Sequence, residues 1–338
     1  MAENNNVPVA PELQDFLISA GLSSAGVVGR WIPLTGGVSS DIWKVELPDC
    51  TLCIKRALPK LKVADDWEAP VSRNAFEWEW LKFAAEQVPA AVPAPIAHDV
   101  EAGLFAMEFL PEAEHPVWKQ QLLDGLVEPS IALALGKVLA KLHSASSNSS
   151  LLAKAFATDE SFFAIRLEPY LLATARRHPG LAQRLEQLVE TTAAHHEALV
   201  HGDISPKNIL VGPNGPVILD AECAWYGDPA FDVAFFLNHM LLKCLVNPHL
   251  KTRYLDCYGE FFDGYFCNDG MEAIEQRAAA LLPALLLARV DGKSPVEYLV
   301  SEQPKRLIRD FAPPLILAPP LKLARIAQLW SEALDSLV

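Results

Sequence analysis

The chain has 338 residues, of which 51% are hydrophobic and 21% charged, with a formal net charge of −14. This composition is typical of a globular protein of about two domains, and the excess of acidic residues argues against nucleic acid as a partner. The acidity would suit a cationic substrate, or it could serve only to keep the surface soluble. No apolar run approaches the ~20 residues that a membrane span needs.

The N-terminus lacks the basic and apolar parts of a signal peptide, so we expect a cytoplasmic protein that does not associate with membranes. The six cysteines do not form a disulfide framework in a chain this long, and we expect reduced, structural thiols.

The first hundred residues predict a three-stranded meander. Segments rich in Trp, Ile, Val and Leu at 30–34, 41–47 and 51–57 are separated by turn residues. The first turn contains Gly36 and Gly37, with Ser39 close behind. Because glycine has no side chain, the main-chain N–H groups of this turn can approach a phosphate.

The third strand carries a lysine in an apolar segment. Alternation places Lys55 on the same strand face as Cys53. A charge in the middle of an apolar strand needs a partner, and the helix predicted at 71–87 offers Glu77 and Glu79. The alternatives are a lysine whose ammonium reaches solvent and a glutamate on a solvated helix face.

A further apolar strand is predicted at 104–110, before Pro111, and the chain then becomes mostly helical. A core-facing helix is indicated by Ile131, Leu135, Val138 and Leu142. We interpret His143, at the end of this stripe, as a core or supporting histidine and not as a catalyst. In the apolar run 162–170, helix-surface positions are the preferred interpretation of three polar residues, which could also contact a substrate. They are Arg166, Glu168 and Tyr170.

Residues 200–232 hold the densest group of polar motifs. The run 201–208 reads His-Gly-Asp-Ile-Ser-Pro-Lys-Asn. The apolar segments 209–211 and 216–219 flank the turn residues 212–215 and predict a hairpin, whose second strand leads to Asp220, twelve residues after Asn208. Gly-Asp and Ser-Pro alone would predict a surface turn. A carboxylate at Asp203, an amide at Asn208 and a second carboxylate at Asp220 can instead orient a hydroxyl and hold Mg²⁺ on a nucleoside triphosphate, as the corresponding kinase residues do.

Two later segments receive simpler interpretations. Asp228 and Pro229 predict the N-cap and first position of a helix. The turn 289–298, which contains Arg289 and Lys293, is interpreted as an ordinary loop between apolar helices, although it could reach a substrate.

The run 201–208 resembles the catalytic loop of the aminoglycoside phosphotransferase, choline kinase and methylthioribose kinase superfamily. Asp220-Ala-Glu222 is similar to the metal motif of methylthioribose kinases, and so is the pattern of residues 77–93. Asn208, however, stands where methylthioribose kinases have Ser and makes the loop more like that of choline kinases. The resemblance extends over about residues 30–240, and this mixture leaves the substrate open.

The resemblance implies an α+β, bilobal, protein-kinase-like fold. A small β-rich lobe, residues 1–110, would bind the nucleotide, and a larger, mostly helical lobe, residues 111–338, would hold the catalytic loop and substrate site. The implied cofactors are ATP and Mg²⁺. Nucleotide-contacting positions would be Gly36, Gly37, Ser39, Cys53, Lys55, Met107, Glu108 and Leu110, with main-chain groups near Glu108 and Leu110 binding the base.

The resemblance also implies catalytic roles. Asp203 would orient the substrate hydroxyl and accept its proton, and Lys55, fixed by Glu77 or alternatively Glu79, would position the α- and β-phosphates. Mg²⁺ would be held by Asn208 and Asp220, with a possible second-metal role for Glu222. Asp232 would brace the loop.

We therefore predict an ATP- and Mg²⁺-dependent phosphotransferase whose acceptor is a hydroxyl of a small molecule such as an amino alcohol, a sugar or an aminoglycoside. Asp220 and Asp228 are too close in sequence for an activation loop and a peptide-docking platform, which excludes a protein acceptor. The alternative is a non-catalytic nucleotide-binding regulator on the same fold. Oligomeric state and a metabolic or antibiotic-resistance role stay open.

Overall fold

A five-stranded antiparallel sheet dominates the first of two structural units. The computed structural model describes residues 10–34, 40–58 and 73–335, and the chain divides into the units Met1–Pro111 and Glu112–Val338. Unit 1 contains α1 (Pro11–Ser19), β1 (Arg30–Pro33), β2 (Ser40–Glu46), β3 (Thr51–Ala57), α2 (Arg73–Gln87), β4 (Pro95–Asp99) and β5 (Leu104–Glu108). The strand order is β1-β2-β3-β5-β4, so the predicted meander is confirmed. The turn with Gly36, Gly37 and Ser39 lies outside the described residues.

Helices cover both faces of the central strand β3. On one face, Leu52 and Ile54 join an apolar core with Phe16 and Leu17 of α1. On the other face, the rings of Trp78 from α2 and Phe105 from β5 lie 5.9 Å apart. Lys55 pairs with Phe105 in the β3–β5 register and therefore lies on the α2 side. Because both faces of β3 are covered, the ammonium group of Lys55 is buried and does not reach solvent.

Unit 2 is mostly helical. Its elements are α3 (Trp118–Leu123), α4 (Pro129–Ser146), α5 (Ser150–Ala155), α6 (Asp159–Phe162), a π-helical segment (Phe163–Leu172), α7 (Ala173–Arg177), α8 (Ala182–Ala194), β6 (Ala198–Val200), β7 (Ile209–Gly212), β8 (Gly215–Ile218), β9 (Trp225–Gly227), α9 (Ala230–Val246), α10 (Lys251–Tyr265), α11 (Glu272–Asp291), α12 (Glu302–Leu317) and α13 (Leu323–Asp335). Two small sheets pair β6 with β9 and β7 with β8. The predicted α4 helix and the β7–β8 hairpin are both present.

Helix α9 forms the centre of unit 2. All of its residues from Ala230 to Cys244 are buried, as expected for a mostly apolar helix in a core. Its Phe236 ring lies 4.3 Å from that of Phe261 on α10. Helices α4 and α10 also approach closely, since a Cβ at Gly136 would lie 2.4 Å from the carbonyl oxygen of Phe261. This packing gives a rigid base for the loops that carry the polar motifs.

The helix at Asp228 differs in detail from the prediction. Helix α9 begins at Ala230, with Pro229 at the N-cap position. Asp228 Oδ1 accepts a hydrogen bond from the Ala230 N–H at 2.9 Å, as a capping residue would. Its carboxylate is fully buried and also pairs with Arg277 Nε at 2.9 Å, a contact that the sequence did not predict.

The described residues have a mixed α+β composition, with the strands concentrated in unit 1 and the helices in unit 2. Within these residues, no helix combines the length and the hydrophobicity that crossing a membrane would require.

Candidate active site

The loop after β6 is held from beneath by a buried carboxylate. The two oxygens of Asp232 accept hydrogen bonds from the N–H groups of His201 and Gly202, both at 2.8 Å. Asp232 also lies 3.3 Å from Nε2 of His143, whose Nδ1 is 2.7 Å from the hydroxyl of Tyr265. His143 is therefore a supporting residue, and Asp232 braces the loop as predicted.

His201 links this loop to the strand that precedes Asp220. Its Nδ1 accepts a hydrogen bond from the Asp203 N–H at 3.1 Å, so Nε2 carries the proton and donates to the carbonyl of Leu219 at 3.1 Å. Burial lowers the pKa of His201, which keeps this neutral form in place. His201 thus connects the segment that carries Asp203 with the strand that leads to Asp220 by hydrogen bonds.

Gly202 is required by the geometry of the loop. Its φ is 78°, and a Cβ at this position would lie 2.6 Å from the carbonyl oxygen of Cys223. Both features exclude an L side chain without a local shift of the backbone.

Asp203 lies at the end of this braced segment, with one carboxylate oxygen between two cations. Its Oδ2 is 3.0 Å from Arg166 Nη2 and 3.0 Å from Lys207 Nζ, while Oδ1 makes a 3.5 Å contact with Ser205 Oγ. Burial raises the pKa of Asp203, but Lys207 and Arg166 outweigh burial and bring the pKa down to about 2. The carboxylate is therefore ionised at neutral pH, and Oδ1 is the oxygen better placed to accept a hydrogen bond from a ligand.

Arg166 lies beside Asp203 and not on the helix surface, where the sequence placed it. The helix-surface interpretation fails because its side chain is only 11% exposed and its Nε donates to the Gly202 carbonyl at 2.5 Å. Tyr170 is likewise buried. Glu168, by contrast, lies in partly exposed ion pairs with Arg176 and Lys293.

The cause of this error is the local helix type. Residues Phe163–Leu172 are π-helical, and Pro169 lies inside the segment. A π-helix has more residues per turn than an α-helix, so it rotates the following side chains away from the positions that a 3.6-residue period predicts. The proline in the middle of the run is a sequence signal of this irregularity.

The predicted metal ligands lie around the same loop. Asn208 is buried, and its Nδ2 donates to the carbonyl of Asp203 at 3.1 Å, which leaves the amide oxygen as the possible ligand atom. The Leu219 N–H donates to the Asn208 carbonyl at 2.9 Å. This hydrogen bond brings the backbone just before Asp220 next to Asn208. Glu222, two residues later, is half-buried.

Asp220 has an unusual backbone conformation. Its φ of 67° is positive, a region that Asp and Asn tolerate better than most non-glycine residues and that often marks functional sites. Carboxylate and amide oxygens are hard ligands that suit Mg²⁺. In the described part of the chain, no three His, Cys, Asp or Glu side chains form a metal-binding group by themselves.

In unit 1, the partner of Lys55 is Glu77. Lys55 Nζ lies 2.7 Å from Glu77 Oε1, and both side chains are almost fully buried. Glu79 is exposed and pairs with Lys82 at 2.8 Å instead. The geometry therefore selects between the two glutamates that the sequence left open, while the role of the pair in binding a nucleotide stays a prediction.

The other nucleotide positions predicted in unit 1 lie on β3 and β5. Cys53 is opposite Met107 in the strand register, and burial raises the pKa of its thiol to about 12, so it presents a neutral surface. The Glu108 N–H already donates to the carbonyl of Ala94 at 2.9 Å. The Glu108 N–H is therefore already used within unit 1 and is not free for a base.

Comparison with known proteins identifies relatives of the chain. A sequence profile of the phosphotransferase enzyme family matches residues 30–261. Methylthioribose kinase of Yersinia pseudotuberculosis serotype O:1b is 27% identical over 223 residues, which is 58% of this chain and 54% of that protein. The enzyme of the same name from Escherichia coli O45:K1 is 26% identical over 273 residues, with 70% and 58% of the two chains covered. The chain thus spans about half the length of the curated relatives it matches.

Two solved structures are similar over nearly the whole chain. A choline/ethanolamine kinase family protein from Mesorhizobium loti has a TM-score of 0.51 at 16% identity, with 95% of this chain and 98% of that chain covered. Amicoumacin kinase hAmiN, in complex with AMP-PNP, Ca²⁺ and Ami, has a TM-score of 0.50 at 15% identity, with 97% and 96% covered. At these identities the likeness concerns the fold alone, and it confirms the predicted kinase-like α+β fold. Since the family profile covers well over half of the sequence, the chain belongs to the phosphotransferase enzyme family.

Proposed function

We propose that the chain transfers the γ-phosphate of ATP to a hydroxyl group of a small molecule, with Mg²⁺ as cofactor. The observation that carries this proposal is the environment of Asp203, a buried carboxylate kept ionised by Arg166 and Lys207 at the end of a loop that Asp232 braces. A fixed acceptor of this kind can align a hydroxyl for in-line attack, which is the main protein contribution to phosphoryl transfer.

The low pKa of Asp203 defines its part in the reaction. A carboxylate with a pKa of about 2 is a weak base, so it orients the hydroxyl by accepting its hydrogen bond and takes the proton only as the bond to phosphorus forms. Arg166 and Lys207 keep it ionised, and Lys207, whose side chain is 54% exposed, is also available to a phosphate oxygen. The alignment depends on the Asp232 brace below the loop.

The remaining residues divide between nucleotide and metal. Lys55, held by Glu77, would contact the α- and β-phosphates, and the β3–β5 edge of unit 1 would bind the base. Asn208 and Asp220 would hold Mg²⁺, with Glu222 as a further ligand. When bound, Mg²⁺ neutralises charge on the phosphates and polarises the transferred group.

The relatives' names supply one candidate acceptor, methylthioribose, which belongs in any test panel beside amino alcohols and aminoglycosides. ATP dependence makes the cytoplasm the proposed location.

Release of ADP from ATP and Mg²⁺ across such a panel tests the function. With an accepted compound, Asp203→Asn lowers turnover by roughly 10²–10⁴ while ATP still binds, because the amide cannot take up the proton. Asp263→Asn, an exposed change on α10, is the matched control and leaves turnover unaltered. Equal turnover in wild type and Asp203→Asn contradicts the proposal, and nucleotide binding without acceptor-stimulated ADP release favours the regulator.

A further inference from the structure

Unit 2 contains a second group of buried or half-buried polar side chains that the proposed mechanism does not use. His239 and Lys243 lie four residues apart on α9 and so share one helix face, Arg289 lies near the end of α11, and Tyr298 lies in the connection to α12. Each of these four side chains has one buried polar atom without a hydrogen-bond partner among the described residues, namely His239 Nε2, Lys243 Nζ, Arg289 Nε and Tyr298 Oη. We call these four residues the α9–α11 cluster.

Lys243 is the most informative member of this cluster. Its side chain is among the largest that are fully buried, with 1% exposure, and its ammonium lies 3.8 Å from the centre of the Tyr298 ring. A ring face attracts a cation but does not replace a hydrogen-bond acceptor. A buried ammonium without an acceptor is strongly unfavourable, so its retention in the core points to a ligand that supplies the acceptor.

The charges around the cluster have one predominant sign. Burial lowers the pKa of His239 well below its usual value, and four nearby cations lower it further: Arg289, Lys243, Lys207 and Lys119. Burial and Lys119 also bring the pKa of Lys243 down to about 7, against the opposing effect of Glu297. Glu297 itself is 64% exposed and pairs with Lys119. The local field therefore favours an anion, although the whole chain is acidic.

The cluster lies one layer of side chains from Asp203. The ring of Phe235 contacts His239 at 5.4 Å, and the guanidinium of Arg166, which pairs with Asp203, lies 5.8 Å from the same Phe235 ring. On the other side, Arg289 Nη1 donates to the hydroxyl of Tyr170 at 3.2 Å. The interpretation of 289–298 as an ordinary loop thus holds for the exposed Lys293 but not for Arg289 or Tyr298.

We propose that the α9–α11 cluster binds a carboxylate or phosphate group of the acceptor molecule, whose hydroxyl lies at Asp203. This inference rests on the proposed function and specifies its substrate class as a small hydroxy acid or sugar phosphate. It replaces the interpretation of the overall acidity as a sign of a cationic substrate. Tyr298, which is partly exposed, lies over Lys243 and marks the side from which the anion enters.

Matched probes that differ only in charge test the substrate class. All three glycerol-based probes carry a hydroxyl: glycerol has no anionic group, glycerate has a carboxylate and glycerol 3-phosphate has a phosphate. Ribose and ribose 5-phosphate extend the series to sugars. Calorimetry measures binding of each, and thermal unfolding measures stabilisation by each and by inorganic phosphate. We expect the anionic compounds to bind and their neutral counterparts not to bind. Tighter binding of glycerate or of glycerol 3-phosphate then shows whether the cluster prefers a carboxylate or a phosphate.

The Lys243→Met variant assigns this binding to the cluster. Loss of one charge-assisted contact weakens binding of the preferred anion by about 10–100-fold. Lys293→Met, the same change at an exposed lysine in the neighbouring turn, leaves anion binding unchanged. Without ligand, Lys243→Met raises the unfolding temperature because it removes a buried amino group that has no hydrogen-bond acceptor, whereas truncation of a merely structural lysine lowers it.

The outcomes separate this inference from the proposed function. Lys243-dependent binding of an anion without ADP release supports the cluster and contradicts phosphoryl transfer. ADP release with neutral or cationic compounds alone supports phosphoryl transfer and overturns the inference. Binding of the anions that is equal in wild type and Lys243→Met, or no stabilisation by any of them, also overturns it.

Discussion

Replacing Arg166 with methionine tests whether this buried guanidinium keeps Asp203 ionised. The variant loses three hydrogen bonds of the guanidinium, to the carbonyls of Ile165 and Gly202 and to Asp203 Oδ2. Removal of one partner of a buried ion pair costs about 3–5 kcal/mol, and the methionine stem retains part of the packing, so we expect a loss of roughly 3 kcal/mol in the free energy of unfolding at neutral pH.

The pH dependence of this loss is the sharper test. In the wild type, the pKa of Asp203 is about 2 when folded and near ~4 when unfolded. Its lowered folded pKa gives stabilisation that is fully present above the unfolded value and is lost as pH falls through the folded one. Without Arg166, burial raises the folded pKa, so the variant has less of this stabilisation at neutral pH, and its folded state takes up the proton at a higher pH than in the wild type. Because protonation relieves the cost of the poorly paired carboxylate, the stability gap between variant and wild type should narrow as pH falls from neutral to about pH 4.

Urea unfolding, followed by tryptophan fluorescence over this pH range, measures the effect without any acceptor. Arg176→Met is the matched control, because Arg176 is a 57% exposed partner of Glu168 and such pairs contribute about 0–1 kcal/mol. If Arg166→Met is as stable as the control, or if its deficit is independent of pH, the reasoning about Asp203 is refuted.

Three further changes have defined outcomes. Gly202→Ala should destabilise the fold by roughly 2–4 kcal/mol, because the φ of 78° and the Cys223 carbonyl oxygen at 2.6 Å both oppose a Cβ. Gly259→Ala, in an open helical position, should instead stabilise the fold by about 0.5–1 kcal/mol. Equal shifts of the unfolding temperature in the two variants would argue against a loop-specific effect. Glu77→Gln breaks a buried ion pair and should cost about 3–5 kcal/mol of stability and weaken ATP binding, whereas the exposed Glu79→Gln should do neither in denaturation and nucleotide titrations. Asp220→Asn keeps a residue that tolerates positive φ but removes a charge, so it should raise the Mg²⁺ concentration needed for half-maximal ADP release; an unchanged Mg²⁺ requirement would show that Asp220 is not a ligand.

Local patterns were sufficient for the parts of the structure that depend on strand alternation and turn chemistry. The meander, the α4 stripe and the β7–β8 hairpin follow from spacing alone, and alternation on β3 correctly placed Lys55 in need of a buried partner. Helix α1 was missed, although Leu13, Phe16 and Leu17 have helical spacing. The pattern is short, and its burial depends on the sheet that it packs against.

The features that the sequence left open or predicted wrongly share a cause, which is contact between distant segments. The choice between Glu77 and Glu79 depends on how α2 is rotated against β3, and no periodicity in this aromatic-rich helix decides it. The pairing of Asp228 with Arg277 joins residues 49 positions apart. Arg166 reaches Asp203 because a π-helix changes its direction, and the α9–α11 cluster forms only when two apolar helices bring their few polar residues together.

Transfer of label from [γ-³²P]ATP tests the central claim most directly. Wild-type protein with Mg²⁺ and the acceptor panel should move the label into a small organic product, and Asp203→Asn should not, although it still binds nucleotide. Label that appears only as inorganic phosphate, or that reaches the product equally in Asp203→Asn, would contradict the account.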